Sequence, residues 1–273
     1  MLAIKDLKGH EMTQFWQGRF EGQVAIVTGA GSGMGEATAR RLHLEGASVV
    51  LFDISGAQQA VADELGERAI AAQGDISSTT DVAKAVKTAV ESFGGLHIVA
   101  NVAGLPQLPT PFDEVTEDDF DRLIDVNLKG TFLFMKHGIP QIIASGGGAV
   151  VNVASVGALM GFVGIPAYSA AKGGIIALSR SAAVEYGLRG VRVNSISPGT
   201  TLTPQMLAYF KDHPKEVLDA VVKGSILQRG ADPAELATAI VFLASREATF
   251  ITGTNLVVDG GQTALAPTFS PEG

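Results

Sequence analysis

The chain has 273 residues, of which 46% are hydrophobic and 18% charged, and this balance excludes a disordered protein. Its net charge is −8 and it contains no run of lysine or arginine, so no nucleic-acid partner is expected. Cysteine is absent, which excludes disulfides and zinc–thiolate sites and is typical of a protein of the reducing cytoplasm. The histidines have no ligand-like spacing, so no bound metal is expected.

The two ends of the chain and one uncharged stretch need separate interpretation. Residues 1–20 are interrupted by charges and lack the apolar core of a signal peptide, so we assign them to an N-terminal extension in which Met12 is an alternative start. Residues 264–273 are assigned to a C-terminal tail. Residues 138–171 carry no charge but are rich in glycine and serine, which favours a buried strand and a loop over a membrane span.

Short apolar runs alternate with longer amphipathic segments along most of the chain. The runs are continuously apolar, as in parallel strands that are covered on both faces. They lie at residues 24–28, 47–53, 69–73, 97–100, 149–153, 191–196 and 255–258. No linker-like composition interrupts them. The sequence therefore predicts an α/β fold with one domain over residues 21–263, a Rossmann-type doubly wound sheet of about seven parallel strands with helices on both faces.

Capping signals predict where several helices begin. Ser78 with Asp81, and Thr116 with Asp119, resemble capping boxes in which Asp replaces Glu. Residues 232–235, Asp-Pro-Ala-Glu, give a stronger signal, because they combine an N-cap acid, a proline at the first helical position and a glutamate at the third.

A glycine-rich turn follows the first strand. The segment Thr28-Gly-Ala-Gly-Ser-Gly-Met-Gly35 opens a helix predicted over 33–44. Glycine lets a backbone approach a pyrophosphate, and a helix N-terminus offers free N–H donors and a positive dipole end. The spacing departs from G-x-G-x-x-G, so a merely flexible loop is the alternative. The strand before the turn and the helix after it favour phosphate binding.

Asp53 ends the second strand and bears on the choice of nucleotide. An acid at this place can accept hydrogen bonds from both hydroxyls of an adenosine ribose. It would also repel a 2′-phosphate, and this repulsion would lower the affinity for a nucleotide that carries one by roughly thirtyfold. No arginine or lysine lies in residues 30–34 to offset the repulsion. The sequence therefore predicts NAD rather than NADP, and the alternative is that Asp53 only begins a turn.

Tyr168 and Lys172 lie four residues apart and would share one face of a helix. A phenol titrates near pH ~10, and a neighbouring cation should lower that pKa toward a useful range. Ser155 follows the fifth strand, where its hydroxyl could bind a carbonyl or alcohol oxygen. Tyrosine and lysine at this spacing also occur by chance. The three side chains together indicate acid–base chemistry at an oxygen atom.

These motifs, taken together, resemble the short-chain dehydrogenase/reductase family over about residues 20–263. The family's T-G-x-x-x-G-x-G and Y-x-x-x-K motifs are both present, and its serine is matched by Ser155. One departure is Val102, which stands where the family's Asn-Asn-Ala-Gly has its second asparagine. That puts hydrogen bonding within the loop in doubt. The matching residues are Thr28, Gly29, Gly33, Gly35, Asp75, Asn127, Tyr168, Lys172, Pro198, Gly199 and Thr203.

The resemblance implies hydride transfer between NAD and a secondary alcohol or ketone. Tyr168 would act as the general acid or base, and Ser155 would hold the reacting oxygen. Lys172 would bind the nicotinamide ribose, and Asn127 would position a water in the proton path. The implied cofactor contacts are Gly29, Gly31, Ser32, Gly33, Met34, Gly35, Asp53, Ile54, Asp75, Ile76, Asn101, Ala103, Gly104, Tyr168, Lys172, Pro198, Gly199, Thr201 and Thr203.

The segments expected around the nicotinamide are mostly apolar. They are residues 105–108, Val156, 160–163 and 206–210. They are also compatible with ordinary core packing, but together they favour an apolar or cyclic secondary alcohol or ketone. None contains arginine, which disfavours a phosphorylated or carboxylate substrate. Residues 200–230 mix polar residues with apolar anchors and are predicted to form a substrate lid that orders on cofactor binding.

Two other functions fit part of the sequence. An NADPH-dependent ketone reductase of the 3-oxoacyl type is disfavoured by Asp53 and by the negative net charge. A catalytically silent NAD-binding scaffold would have no chemical need for Ser155, Tyr168 and Lys172 together. The resemblance also implies a homotetramer that pairs the long helices carrying Asn127 and Tyr168.

Overall fold

The fold was described from a computed structural model, which covers residues 17–211 and 213–265. The candidate start at Met12, most of the N-terminal extension and nearly all of the C-terminal tail lie outside the described residues. Seven strands form one parallel sheet in the order β3-β2-β1-β4-β5-β6-β7, which confirms the predicted fold class. The strands are β1 (Val24–Thr28), β2 (Ser48–Asp53), β3 (Ala69–Gln73), β4 (Ile98–Asn101), β5 (Gly148–Val153), β6 (Val191–Pro198) and β7 (Asn255–Val258).

Helices cover both faces of this sheet and enclose two main apolar cores. One core contains side chains of α1, α2 and α9 against β1 and β2, and the other contains side chains of α3, α5 and α6 on the opposite face. The helices are α1 (Gly33–Leu44), α2 (Gln58–Leu65), α3 (Thr79–Phe93), α4 (Glu117–Ile124), α5 (Gly130–Ala144), α6 (Pro166–Tyr186), α7 (Pro204–Phe210), α8 (Lys215–Val222) and α9 (Pro233–Ala244).

The strand order reverses at β1, and this reversal positions the site. β1 pairs in parallel with β2 on one side and with β4 on the other, although β4 comes much later in the chain. The connections that leave these strands therefore diverge to opposite faces of the sheet. A crevice opens at the carboxyl ends of the strands where such a reversal occurs.

Of the three predicted capping boxes, one forms completely and two form only in part. At α9 both halves of the predicted box form, with Ala234 N–H donating to Asp232 at 2.8 Å and Asp232 N–H donating to Glu235 at 2.9 Å. At α3 only half forms, because the carboxylate of Asp81 accepts from the N–H of Asp75 instead of from the N-cap residue. At α4 the carboxylate of Asp119 likewise turns to the Thr116 hydroxyl. A shorter acid side chain does not reach back as glutamate does.

The packed unit begins before residue 21, the predicted boundary of the domain. Phe20 is completely buried, and its N–H donates to the carbonyl oxygen of Glu45 at 2.9 Å. The Glu45 carboxylate, 2% exposed, pairs with Arg19 at 2.6 Å and also with Arg41. These contacts join the start of the described chain to the end of α1.

The uncharged stretch 138–171 does not form a single element. It contains the end of α5, all of β5, a loop and the first residues of α6. Within the described residues, no helix is both long enough and apolar enough to cross a membrane. The expectation of a strand and a loop agrees with this arrangement.

Candidate active site

A large cleft lies at the carboxyl ends of the strands, with a volume of about 1620 Å³. It brings together most of the residues that the sequence suggested for the site. Gly31, Asn101 and Asn127 are the members of that set that do not line it. The predicted residues that line it are Gly29, Ser32, Gly33, Met34, Gly35, Asp53, Ile54, Asp75, Ile76, Ala103, Gly104, Ser155, Tyr168, Lys172, Pro198, Gly199, Thr201 and Thr203.

The turn between β1 and α1 requires glycine at several positions. Gly29 has a φ of +68°, and a Cβ there would lie 3.0 Å from the Cα of Ala103. A Cβ on Gly35 would collide with the carbonyl oxygen of Gly29. Ser32 makes no side-chain cap, so the first N–H groups of α1 are not satisfied by a capping side chain. A pyrophosphate fits such a cradle of free N–H donors at a helix N-terminus.

Thr28 connects this turn to the loop that follows β4. Its hydroxyl oxygen accepts hydrogen bonds from the N–H of Val102 at 2.9 Å and of Ala103 at 3.0 Å. The side chain of Val102 is buried in the core that contains α1. The loss of the family's second asparagine therefore leaves this loop anchored through its backbone.

Asp53 lies at the end of β2 with both carboxylate oxygens held. One accepts from the N–H of Gly31 at 2.9 Å, and the other accepts from the N–H and hydroxyl of Ser55 at 2.9 and 2.8 Å. Gly31 thus orients the acid without lining the cleft. Arg40 of α1 pairs with Glu36 and Glu64. The end of β2 therefore presents a fixed negative charge, which suits a ribose with free hydroxyls.

The Ser155, Tyr168 and Lys172 side chains meet on the opposite side of the cleft. Ser155 follows β5, and its hydroxyl oxygen accepts from the N–H of Gly157 at 3.0 Å. Lys172 is buried on α6, one turn beyond Tyr168, and its Nζ donates to the carbonyl oxygen of Val153 at 2.9 Å. The end of β5 therefore fixes both the hydroxyl and the ammonium group.

Burial controls the ionisation of the tyrosine and the lysine. It raises the pKa of Tyr168 above 10.0, and the Ser155 hydroxyl opposes this by lowering it. Burial also lowers the pKa of Lys172 from 10.5 to about 8. The sequence-based expectation that Lys172 brings the phenol pKa below its usual value is therefore wrong for the free pocket. Loss of hydration destabilises the charged phenolate and is the largest cause of the raised pKa of Tyr168.

Asn127 is positioned by a break in helical regularity. Residues 125–129 form a π-helical turn between α4 and α5, and Asn127 is completely buried within it. Its amide exchanges two hydrogen bonds of 3.1 Å with the backbone of Leu105. A Cβ on Gly104 would lie 2.6 Å from Asn127 Oδ1 and 3.2 Å from Lys172 Nζ. The amide and the ammonium group therefore both lie close to the backbone of Gly104.

The comparisons with known proteins agree with this geometry. A family model described as enoyl-(acyl carrier protein) reductase matches residues 29–263. Cyclohexanol dehydrogenase of Acinetobacter sp. (strain SE19) is 40% identical, over 93% of this chain and 100% of its own length. The chain belongs to the short-chain dehydrogenase/reductase family. Members are oxidoreductases that act on CH–OH groups with a nicotinamide dinucleotide.

Two further relatives belong to the same family. Cis-4-hydroxycyclohexanecarboxylate dehydrogenase of Sinomonas cyclohexanicum is 39% identical, over 90% of this chain and 98% of its own length. The crystal structure of levodione reductase superposes with a TM-score of 0.86 and 33% identity, covering 90% of this chain and all of the other. The resemblance read from the motifs is therefore confirmed at the level of the family.

The side chain of Asn101 is directed away from the cleft of this short-chain dehydrogenase/reductase. Its Nδ2 donates to Asn152 Oδ1 at 2.8 Å, and the Asn152 amide in turn donates to the Ser179 hydroxyl at 2.9 Å. Asn101 is 1% exposed and ends β4. Its side chain therefore belongs to a buried polar network between the sheet and α6, and the sequence had no signal for that orientation.

The walls predicted around the nicotinamide are only partly correct. Residues 105–109, Met206, Tyr209 and Phe210 line the cleft, whereas Val156 and residues 160–163 do not. Val156 is buried in a short 3₁₀ turn, and Val163 is 98% exposed. Gly164 accepts a hydrogen bond from the N–H of Thr110 at 2.9 Å, so this loop packs behind the 105–110 segment. Residues that follow Ser155 closely in the sequence therefore do not necessarily line the cleft.

Two partners of the catalytic residues were missed. The carbonyl oxygen of Val153 holds Lys172, and Gln107 Oε1 accepts from the N–H of Tyr168 at 3.0 Å. The first could have been anticipated, because the end of β5 precedes Ser155 by only two residues. The second joins positions 61 residues apart, and no local pattern predicts it.

Proposed function

We propose that this protein is a cytoplasmic, NAD-dependent dehydrogenase that interconverts a cyclic secondary alcohol and its ketone. The observation that carries the proposal is one cleft that contains both the glycine turn with Asp53 and the Ser155, Tyr168 and Lys172 side chains. The apolar side chains of Leu105, Pro106, Leu108, Pro109 and Met206 support an apolar ring as substrate. The ring-containing substrates in the names of two relatives, cyclohexanol and cis-4-hydroxycyclohexanecarboxylate, support the same class.

The cleft offers a place for each part of the cofactor. The turn from Gly29 to Gly35 would hold the pyrophosphate, Asp53 the adenosine ribose, and Lys172 the nicotinamide ribose. Asp75 and Ile76 would flank the adenine. When bound, the nicotinamide ring accepts the hydride in oxidation and supplies it in reduction.

The chain's own residues handle the proton. Tyr168 is a neutral phenol at neutral pH because its pKa is raised, so it can donate a proton to a ketone oxygen in the reductive direction. In oxidation the proton moves from the alcohol to the tyrosyl oxygen, with Ser155 holding the reacting oxygen. The Lys172 ammonium, close to the phenol, stabilises the developing phenolate. Water held beside Asn127 would pass the proton outward.

Two alternatives make different predictions about cofactor and turnover. The family model's description concerns acyl-carrier substrates, and an NADPH-dependent 3-oxoacyl-type reductase would share the catalytic set. The fixed charge of Asp53 favours NAD over NADP and argues against that alternative. A silent NAD-binding scaffold would not need Tyr168, Lys172 and Ser155 to converge.

A spectrophotometric screen with NAD and NADP in parallel tests the proposal. We expect cyclohexanol to be oxidised faster with NAD, by about thirtyfold in kcat/KM. Preference for NADPH together with reduction of 3-oxoacyl thioesters would establish the second alternative. Calorimetric binding of NADH without turnover of any secondary alcohol would establish the third.

We also propose that residues 200–230 form the substrate lid. Neither α7 nor α8 buries a residue, which supports a segment that is only loosely packed on the domain. Both ends are anchored, since the N–H of Leu202 donates to Ala231 O at 2.9 Å and the N–H of Leu227 donates to Gly260 O at 3.1 Å. Proteolysis of this segment should slow when NADH is added, and an unchanged rate would contradict the lid.

We further propose a homotetramer, as the family resemblance implies. An apolar groove along the π-helical turn and α6 supports this assembly, since Phe132 within it is 44% exposed. Its lining includes Ile124, Leu128, Phe132, Gly174, Ala177 and Leu178. Light scattering should give four times the chain mass of 28.2 kDa, and a monomeric mass would contradict the proposal.

A further inference from the structure

Gln107 is joined directly to the helix that carries the catalytic tyrosine. The helix α6 begins at Pro166 with Ile165 as its N-cap residue, which makes no side-chain capping bond. The N–H of Tyr168 is among the first donors of α6, which have no partner within a helix. The Oε1 atom of Gln107 accepts from it at 3.0 Å. A loop residue therefore caps the catalytic helix across the cleft.

This contact determines which way the Gln107 amide faces. A backbone N–H can only donate, so the atom that receives it must be the carbonyl oxygen of the amide. The other branch of the amide is therefore the Nε2 group, which has two N–H donors. Gln107 lines the cleft, and within the described residues its Nε2 makes no hydrogen bond. These two donors are available to a bound molecule.

The surroundings of Gln107 favour a neutral oxygen as the acceptor. Its neighbours Leu105, Pro106, Leu108 and Pro109 have no polar side-chain atoms. Arg122 also lines the cleft, but the three carboxylates of Asp118, Asp121 and Asp125 line it as well. A carboxylate would therefore lose its hydration without gaining an excess of positive charge. A neutral hydroxyl or carbonyl oxygen loses much less hydration free energy than a carboxylate. One N–H of the Gln107 amide then replaces the hydrogen bond from the water molecule that this oxygen gives up.

We propose that Gln107 is a specificity-determining residue that donates a hydrogen bond to a second, neutral oxygen of the substrate. Gln107 is fixed at the backbone nitrogen of Tyr168, whereas the reacting oxygen binds at the phenol end of the same residue. The two groups lie at opposite ends of Tyr168, so the second oxygen is expected away from the reacting carbon. The inferred substrate class is therefore a cyclic alcohol or ketone that carries a second, neutral oxygen remote from the reacting one, for which 4-hydroxycyclohexanone is the probe. The inference rests on the proposed function.

Two ketones that differ by one hydroxyl group provide the first test. We expect wild-type protein with NADH to reduce 4-hydroxycyclohexanone with a kcat/KM about tenfold above that for cyclohexanone, equivalent to about 1.4 kcal/mol. The ratio between two substrates cancels any effect of cofactor loading. Reduction of both ketones with a ratio near one would overturn the inference and leave the proposed function standing. Reduction of neither would overturn both.

Two variants of Gln107 test the residue itself. In Gln107→Met the side chain keeps its length but has no amide, so the substrate ratio should fall to about one even if loss of the cap slows both reactions. In Gln107→Glu one carboxylate oxygen can still accept from the Tyr168 N–H, but the donor is replaced by a charge. We expect this variant to prefer 4-aminocyclohexanone, whose ammonium suits a carboxylate, over 4-hydroxycyclohexanone. An unaltered wild-type order of preference in both variants would overturn the inference.

Gln205 provides a matched control. It is the other glutamine lining the cleft, it lies on α7, and it makes no hydrogen bond to α6 within the described residues. Gln205→Met should therefore leave the ratio for the two ketones unchanged. Loss of the preference in Gln205→Met and its retention in Gln107→Met would assign the second oxygen to α7 and refute the role of Gln107.

Discussion

The ammonium nitrogen of Lys172 lies 5.6 Å from the centre of the Tyr168 ring. Lys172 is buried and Tyr168 is partly buried on the same helix, and loss of hydration destabilises the charged form of each. The pair is therefore neutral phenol and ammonium at neutral pH. Transfer of a proton to or from the phenol changes the charge beside the ammonium, so the two groups are expected to act together.

Replacement of the phenol hydroxyl should abolish chemistry but preserve binding. Tyr168→Phe removes the proton donor and acceptor without changing the ring that packs in the cleft. We expect NADH affinity to change little and kcat to fall by about 10²- to 10⁴-fold, measured by fluorescence titration and NADH absorbance. Tyr186→Phe, at the far end of the same helix and outside the cleft, is the control. Near-normal turnover in Tyr168→Phe would refute the assignment.

The lowered pKa of Lys172 predicts how dinucleotide binding depends on pH. Its pKa of about 8 means that the ammonium charge, present below pH 8, is lost as the pH rises through that value. The affinity for NADH should therefore decrease between pH 7 and 9, because the anionic ligand loses a cation and a donor. Lys172→Met should bind weakly with a flat profile. Lys87→Met, which removes an exposed lysine of α3, should reproduce the wild-type profile, and a pH-independent wild type would contradict this account.

Removal of the charge at the end of β2 should relax the choice of cofactor. In Asp53→Ala a 2′-phosphate no longer meets a carboxylate, and the NAD preference should shrink by about thirtyfold in kcat/KM. Part of the change will come from weaker NAD binding, because the ribose loses its acceptor. Asp63→Ala removes an exposed acid of α2 and should leave the ratio intact. If the preference survives in Asp53→Ala, another residue sets it.

The buried carboxylate of Glu45 should contribute strongly to stability. Its side chain is 2% exposed, and the two arginines that pair with it are each 11% exposed. Glu45→Gln removes the buried counter-charge that the two arginines share and should lower the free energy of unfolding by about 3 kcal/mol in urea denaturation. Glu36→Gln breaks a pair whose members are each 32% exposed, and it should cost about 0.5 kcal/mol. Equal losses in the two variants would contradict the role assigned to burial.

Much of the fold could be predicted because its signals are local. The helix α1 occupies the predicted residues Gly33–Leu44, and α9 begins with the predicted capping box at Asp232. In both cases the groups that determine where the helix begins lie within four residues of one another. Phe20 lies one residue before the predicted boundary at residue 21, and its contact with the distant Glu45 has no local signal in the sequence.

The cleft contains most of the residues predicted for the site, and the exceptions depend on packing. Asp53 and Gly35 line the cleft as expected, because the end of a parallel strand and the following turn lie at a known edge of the sheet. Asn101 faces the core and Val163 faces solvent, although both lie close in sequence to residues of the site. The direction of a side chain at the end of a strand depends on what packs above it.

The amino-acid sequence itself determined where the strands lie along the chain, the glycine turn and the spacing of Tyr168 and Lys172, because short-range periodicity and backbone sterics specify them. The tertiary structure alone decided that the pKa of Tyr168 is raised, since that depends on how much water the folded chain removes from the phenol. It also decided that Gln107 caps the catalytic helix, because a contact across 61 residues exists only after the sheet has brought two loops together.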